Sequence, residues 1–167
     1  MYKKILLASD GSAASGMALL EAAKLAREGG ELLVLTVVVD PLASFTSPYG
    51  LAYDAGLVRN AAIESGHEAL ERTLGQLEEM NIKAEGQLLD MTETASTNIA
   101  AAILEEAQAW PADIVVIGTH GRSGFKRFFL GSVAETLLRI ATFPVLLVRS
   151  ASEKDVTGEW PEKVMGD

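Results

Sequence analysis

Four small residues in the C-terminal third of the chain have a spacing that suits binding of an anion. Gly118, Gly121, Gly131 and Ser132 form the pattern G-x2-G-x9-G-S, which follows the apolar, β-branched run 114–117. Glycines let the backbone approach a ligand closely, and the N–H groups at a helix N-terminus attract negative charge. A helix-like run begins at Ser132, whose hydroxyl can serve as a helix cap or as a phosphate donor. The order of strand, glycine loop and helix start predicts a phosphate-binding loop.

Basic residues inside this segment are consistent with the same prediction. Arg122, Lys126 and Arg127 place three positive charges in six residues of a chain whose formal net charge is −9. They either neutralise phosphate or are simply solvated, and the sequence leaves both interpretations open. His120 is interpreted as a loop residue that contacts phosphate or backbone.

Other phosphate and catalytic motifs are missing. There is no G-x-x-x-x-G-K-[ST] and no G-x-G-x-x-G, so neither a P-loop NTPase nor a dinucleotide site is indicated. Asp10, His120 and Ser132 could form a Ser-His-Asp set, but the chain lacks the G-x-S-x-G elbow. Two histidines and no cysteine argue against a zinc site.

Asp10 ends the first predicted strand and has two possible roles. It can cap the following helix, or it can bind a ribose or a Mg²⁺ ion beside phosphates. We favour the second role because of the position that the fold gives Asp10, described below.

Composition limits the class of protein. The chain has 167 residues, 49% of them hydrophobic and 22% charged, as in an ordinary globular domain. No apolar run reaches the length of a membrane span, and the N-terminal run is too short for a signal peptide. A pI near 4.7 argues against nucleic-acid or anionic-membrane partners, and the absence of cysteine fits a reducing compartment. We expect a cytoplasmic domain over 1–149, followed by an acidic C-terminal tail over 150–167.

Hydrophobic periodicity predicts alternating strands and helices. Strands are expected at 4–9, 32–39, 82–88, 114–117 and 145–148, and helices at 13–28, 57–80, 99–109 and 132–140. Residues 82–88 alternate as a half-exposed edge strand does, 90–97 read as a polar connection, and 145–148 read as a buried strand. The segment 40–56 is interpreted as an ordered connection in preference to a gating lid.

This alternation predicts a single-domain α/β fold, a doubly wound five-stranded parallel sheet with four helices. With the strand order 3-2-1-4-5, the winding reverses between the first and fourth strands, and ligands bind in the crevice at such a reversal. Asp10 and the Gly118 loop would then face each other across that crevice.

Several segments together resemble the universal stress protein family. They are KILLASDGS, LLVLTVVVD, ADIVVIGTHGRSG, LGSVAETLLR and PVLLVR, and the resemblance covers about residues 2–149. It implies a Rossmann-like, adenine nucleotide alpha hydrolase-like fold. Two features depart from the family pattern: Thr36 stands where many members have His, and the 40–56 loop and the tail fall outside the shared core.

The resemblance also implies a ligand and a site. The ligand would be ATP with Mg²⁺, with Asp10 contacting ribose and metal and the backbone around Val37 and Val38 contacting adenine. Homodimers would form through the last strand, 145–148. The nucleotide-binding residues expected are Ala8, Ser9, Asp10, Val37, Val38, Gly118, His120, Gly121, Arg122, Gly131, Ser132 and Val133.

Three functions are compatible with such a site. The first is a dimeric ATP-binding regulatory module that acts through protein partners in stress responses. The second is a slow ATPase or autophosphorylating enzyme using Asp10, His120 and Ser132, and the third is a sensor of AMP or a cyclic nucleotide in the same pocket. The sequence identifies neither a general base for water attack nor an arginine finger, which favours the first.

Overall fold

A computed structural model describes residues 2–42, 54–94, 98–119 and 130–149 of the chain. The five strands form one parallel sheet in the order β3-β2-β1-β4-β5, so the predicted fold class and strand order are confirmed. The elements in chain order are β1 (Lys4–Ala8), α1 (Ala13–Arg27), β2 (Glu31–Val39), α2 (Ala55–Glu79), β3 (Ala84–Met91), α3 (Ile99–Ala109), β4 (Ile114–Gly118), α4 (Ser132–Ile140) and β5 (Val145–Val148).

The central strands are apolar throughout because both faces of the sheet are covered. On one face, Ile5 and Leu7 of β1 pack in a core with residues of α1 and α2. On the other face, Leu6 and Ala8 pack with residues of α3 and α4. The alternation of strand side chains therefore separates two cores, and the ends of β1 and β4 lie between them.

The two edge strands differ from the sequence prediction in opposite ways. β3 lies at an edge and is mostly half-exposed, as predicted, but it continues to Met91 and makes Asp90 part of the strand. Asp90 pairs with Val38, and its side chain is exposed, so a polar residue is compatible with this position in the strand. β5 was expected to be buried, yet only Val148 is, because this strand forms the other edge of the sheet.

Helix boundaries follow local capping. α2 begins at Ala55, two residues before the predicted start, because the Asp54 side chain accepts a hydrogen bond from the Leu57 N–H. α1 ends at Arg27, one residue early, and Gly29 follows with φ +90°, a conformation that favours glycine. Among the described residues, no helix is long and apolar enough to cross a membrane. Most of the 40–56 connection and the whole tail lie outside the described residues.

Candidate functional site

A cavity of about 200 Å³ lies at the carboxyl ends of β1, β2 and β4, where the winding of the sheet reverses. This is the crevice that the strand order predicts. The lining residues are Ala8, Ser9, Asp10, Ser15, Leu35, Val37, Ile99, Ile103, Ile117, Gly118, Thr119, Gly131, Ser132, Val133 and Ala134.

One wall of the cavity is apolar and comes from three elements. β2 contributes Leu35 and Val37, α3 contributes Ile99 and Ile103, and β4 contributes Ile117. Leu35, Ile103 and Ile117 belong to the core on the α3–α4 face of the sheet, and Val37 and Ile99 pack against it. A wall of this kind suits a flat ring system, with the adjoining strand backbone left to supply polar contacts.

The other end of the cavity is formed by both halves of the glycine motif. The Thr119 N–H donates to the Val148 carbonyl at 2.9 Å, and the Gly131 N–H donates to the Thr119 carbonyl at 2.8 Å. The first bond joins the end of β4 to β5, and the second holds the start of α4 against the end of β4. Gly118 and Gly131 therefore border the same space, although thirteen positions separate them in the sequence.

The N-terminus of α4 faces this space without a side-chain cap. Gly131 is the cap residue, and the first intrahelical bond runs from the Glu135 N–H to the Gly131 carbonyl at 2.9 Å. The N–H groups of Ser132, Val133 and Ala134 precede that bond, so they have no acceptor within the helix. Ser132 was expected as a possible cap; it is instead the first helical residue, because the extended residue before it is Gly131.

The other three helices in the described part of the chain are capped differently. Side chains of Ser12, Asp54 and Asn98 accept hydrogen bonds from the first turns of α1, α2 and α3. α4 thus differs in presenting uncapped amides, and it does so into the cavity. This arrangement can bind an anion, because oriented N–H groups and the helix dipole both favour negative charge.

Asp10 is held in the turn between β1 and α1. Its Oδ1 accepts a hydrogen bond from the Ser12 N–H at 3.0 Å, while Ser12 Oγ accepts one from the Ser15 N–H at 3.3 Å. Ser12 is therefore the cap of α1, and the alternative that Asp10 caps this helix is wrong. Gly11 allows the turn, with φ +74°. The turn places the Asp10 carboxylate at the border of the cavity.

The cavity brings together most of the residues that the sequence predicts. Its lining includes Ala8, Ser9, Asp10, Val37, Gly118, Gly131, Ser132 and Val133. Val38 is not in the lining, because its side chain points to the opposite face, towards Gly66 of α2. A backbone contact from Val38 stays a prediction, and His120, Gly121 and Arg122 lie outside the described residues.

The sequence reasoning missed the contribution of α3. Ile99 and Ile103 are spaced by four residues, and the sequence predicts for them only a helix over 99–109. The topology offered a signal, because a helix that follows a parallel strand starts near the carboxyl ends of the strands, where the cavity lies. Ser15, Leu35, Ile117, Thr119 and Ala134 were also missed.

Asp10 provides the only carboxylate in the described lining of the cavity. Within the part of the chain that the structure describes, no group of three His, Cys, Asp or Glu side chains could hold a metal ion. Mg²⁺ is often held by one or two carboxylates together with substrate phosphates. The donor set therefore fits Mg²⁺ only when a phosphate-bearing ligand completes the coordination.

Comparison with known proteins identifies relatives along most of the chain. The model of the universal stress protein family matches residues 1–149. A universal stress protein of Methanocaldococcus jannaschii is 33% identical over 157 residues, which cover 92% of this chain and 86% of that protein.

Solved structures are similar as well. A protein of the same family from Burkholderia pseudomallei is 29% identical, with a TM-score of 0.67, and the match covers 88% of this chain and 95% of that one. An Archaeoglobus fulgidus universal stress protein in complex with dAMP is 23% identical, with a TM-score of 0.58 and coverage of 88% and 98%. Another universal stress protein, in complex with cAMP, is 20% identical, with a TM-score of 0.63 and coverage of 90% and 99%.

Proposed function

The chain belongs to the universal stress protein family, and we propose that it binds ATP with Mg²⁺ in the cleft between β1 and β4. The observation that carries the proposal is the uncapped start of α4, whose amides at Ser132, Val133 and Ala134 border the cavity next to Gly118. Amides in this arrangement suit phosphate, and the apolar wall opposite suits a nucleobase. Solved family members with bound dAMP and cAMP support an adenine nucleotide as the ligand.

Each part of the nucleotide has a place in this proposal. Adenine lies against the isoleucines of α3, with the backbone of β2 near Val37 and Val38 supplying polar contacts. The ribose lies beside Asp10, which also binds Mg²⁺ together with phosphate oxygens. The phosphates lie at Gly131–Val133, and His120, Gly121 and Arg122 complete their binding.

The bound nucleotide acts as a regulatory signal in this proposal, and is not rapidly consumed. The polar side chains in the described lining are Ser9, Asp10, Ser15, Thr119 and Ser132, a set that can hold a ligand. The sequence identifies neither a general base for water attack nor an arginine finger, the groups on which phosphoryl transfer commonly depends. Slow hydrolysis or autophosphorylation remains the enzymatic alternative, with His120 as a participant.

A second candidate function is a sensor of AMP or a cyclic nucleotide. The dAMP and cAMP complexes of family members favour it. Relative affinities for ATP, AMP and cAMP, measured by titration calorimetry, decide between the two.

The test is to denature freshly purified protein and identify the released small molecules by chromatography and mass spectrometry. We expect ATP at close to one per chain, with no change after prolonged incubation. ADP or a phosphorylated protein would instead favour the enzyme, and AMP would favour the sensor. A site that stays empty after soaking with Mg-ATP would contradict nucleotide binding altogether.

The setting of this activity is also proposed. We infer that the protein is a cytoplasmic homodimer joined through the β5 edge, and that other proteins recognise its nucleotide-bound state. β5 supports this because it pairs with β4 on one side and leaves Val145, Leu146 and Leu147 only half-buried at the sheet edge. An apolar edge strand of this kind is commonly covered by a partner.

A further inference from the structure

A second cavity, of about 250 Å³, lies on the other side of the β1–α1 turn. It is enclosed by the first turns of α1 and by the middle of α2, on the face of the sheet opposite to α3. Ser9 and Ser15 line both cavities, so the turn separates one from the other. The proposed nucleotide cleft does not include the side chains of α2.

The lining of this second cavity contains several polar side chains. It includes the hydroxyl residues Ser12 and Thr73, the amide of Gln76 and the guanidinium of Arg72. Arg72 is the only charged side chain in its described lining. A ligand entering here meets a positive charge and hydrogen-bonding groups, and no carboxylate among those lining residues.

Arg72 is positioned over the turn. Its Nη2 lies 4.0 Å from the place where a Cβ on Gly11 would be, so the guanidinium reaches the β1–α1 turn from α2. Its acidic partner is Glu68, at 3.7 Å between Nη1 and Oε2, with both side chains more than half exposed. An exposed ion pair of this kind is weak, so a ligand oxyanion can replace Glu68 at little cost.

We propose that this cavity binds a small molecule carrying one oxyanion group, a phosphate or a carboxylate. Arg72 supplies the charged contact, since its planar donors match the oxygens of either group. Ser12 and Gln76 supply the neutral polar contacts. The site is separate from the nucleotide cleft, and this proposal does not depend on the one made for that cleft.

The experiment is an amide-resolved NMR titration of the full chain with inorganic phosphate, and in parallel with acetate, at constant ionic strength set by sodium chloride. We expect saturable shifts at Gly11, Gly16, Arg72 and Gln76. The more strongly bound probe identifies the oxyanion. Phosphate that also binds in the nucleotide cleft is recognised separately, by shifts at Gly118 and Gly131.

Two variants make the test specific. Arg72→Gln is expected to weaken binding at the second cavity by about tenfold or more, as loss of a charge-assisted hydrogen bond predicts. Arg27→Gln, at the far end of α1, makes the same change in net charge and should leave the affinity unchanged. The proposal is overturned if neither probe gives saturable shifts at these residues, or if both variants weaken binding equally.

Discussion

The backbone N–H of Gly131 donates to the carbonyl of Thr119 at 2.8 Å, and this hydrogen bond joins the two halves of the glycine motif. It uses the amide of Gly131 itself. The N–H groups available to an anion are therefore those of Ser132, Val133 and Ala134, in the first turn of α4. The role of Gly131 is to begin the helix without a side chain that could occupy these donors.

Replacing Gly131 with Asp should provide α4 with a side-chain N-cap. Its carboxylate would accept hydrogen bonds from the first-turn amides and repel phosphate, so we expect the affinity for ATP to fall about 100-fold, while the melting temperature stays the same or rises. Gly131→Ala, which adds a Cβ without a charge, is the control and should lose less affinity. Titration calorimetry and thermal unfolding measure the two effects, and equal losses in both variants would contradict this role.

Asp10→Asn should affect the metal contribution to binding. The Asn side-chain oxygen can still accept the hydrogen bond from the Ser12 N–H, so the turn is retained. Loss of the carboxylate is expected to lower ATP affinity in Mg²⁺ by about tenfold, with little change in EDTA. Fluorescence titration under the two conditions checks this, and an equal loss in both would place Asp10 on the ribose and not on the metal.

The β5 edge offers a test of the proposed dimer. The carbonyls of Pro144 and Val148 accept hydrogen bonds from the Val115 and Thr119 N–H groups. In a parallel pair, the backbone groups of every second residue point towards the neighbouring strand. Those of Pro144 and Val148 point towards β4, so the Leu147 N–H points away from it.

Leu147→Pro removes that outward donor while sparing the bonds to β4, and it should convert a dimer to a monomer in analytical ultracentrifugation. Leu147→Ala keeps the N–H and loses similar packing, so it should remain dimeric. A proline variant that stays dimeric would show that the edge strand is not the interface.

Two glycines of α2 should respond oppositely to alanine. A Cβ on Gly66 would lie 2.3 Å from Cγ2 of Val38 and 3.0 Å from Cδ1 of Leu88, whereas a Cβ on Gly75 would meet nothing within 4 Å. We expect Gly66→Ala to lower the free energy of unfolding by about 1–3 kcal/mol through overpacking. Gly75→Ala should raise it by roughly 0.5–1 kcal/mol through helix propensity.

Urea unfolding measures both α2 variants. If the close approach to Val38 causes the loss, adding Val38→Ala to Gly66→Ala should recover part of it. Equal effects at the two glycines would rule out the packing explanation and leave only backbone entropy.

Asp113 should make stability depend on pH at the acidic end. Its carboxylate accepts hydrogen bonds from the backbone N–H groups of Lys4 and Lys3, at 2.8 and 2.7 Å, and these lower the pKa of Asp113 below its ordinary value of 3.8. A lowered pKa means that the folded state favours the charged form. The stabilisation is present above about pH 3.8 and is lost as the pH falls through the lower folded value.

The difference in urea midpoint between the native chain and Asp113→Asn measures this contribution. It should be constant near neutral pH and shrink below about pH 3.8. A difference that does not change with pH would indicate packing or hydrogen-bond geometry, and not charge, as the contribution of Asp113.

The sequence predicts the fold well because its signals are local. Apolar runs such as 114–117 and the helical spacing of apolar residues determine strand or helix directly, and the alternation of elements then leaves few topologies. The extension of β3 to Met91 could not be predicted in this way, since Asp90 is polar and its place in the strand depends on pairing with β2. The half-exposure of β5 likewise follows from its position at the edge, which is a property of the whole sheet.

The sequence predicts residues of the site only where the backbone conformation requires a particular residue type. Gly118, Gly131 and Asp10 are recognisable because turns and helix starts require particular residue types. The residue types of Ile99 and Ile103 give no such signal, because an isoleucine that lines a cavity resembles one that fills a core, and only the topology brings the start of α3 to the site. Val38 shows the converse, since adjacent strand residues point to opposite faces and only Val37 lines the cavity.

Ser9 and Ser15 stand in the walls of both cavities, so the β1–α1 turn is one structural element with two possible occupants. If a ligand on one side changes the affinity on the other, thermodynamic reciprocity requires the reverse effect to have the same factor. A small metabolite bound beneath Arg72 would then tune nucleotide occupancy, and nucleotide would tune metabolite occupancy equally. Through this turn, the occupancy of each site in the domain would depend on the concentrations of both ligands.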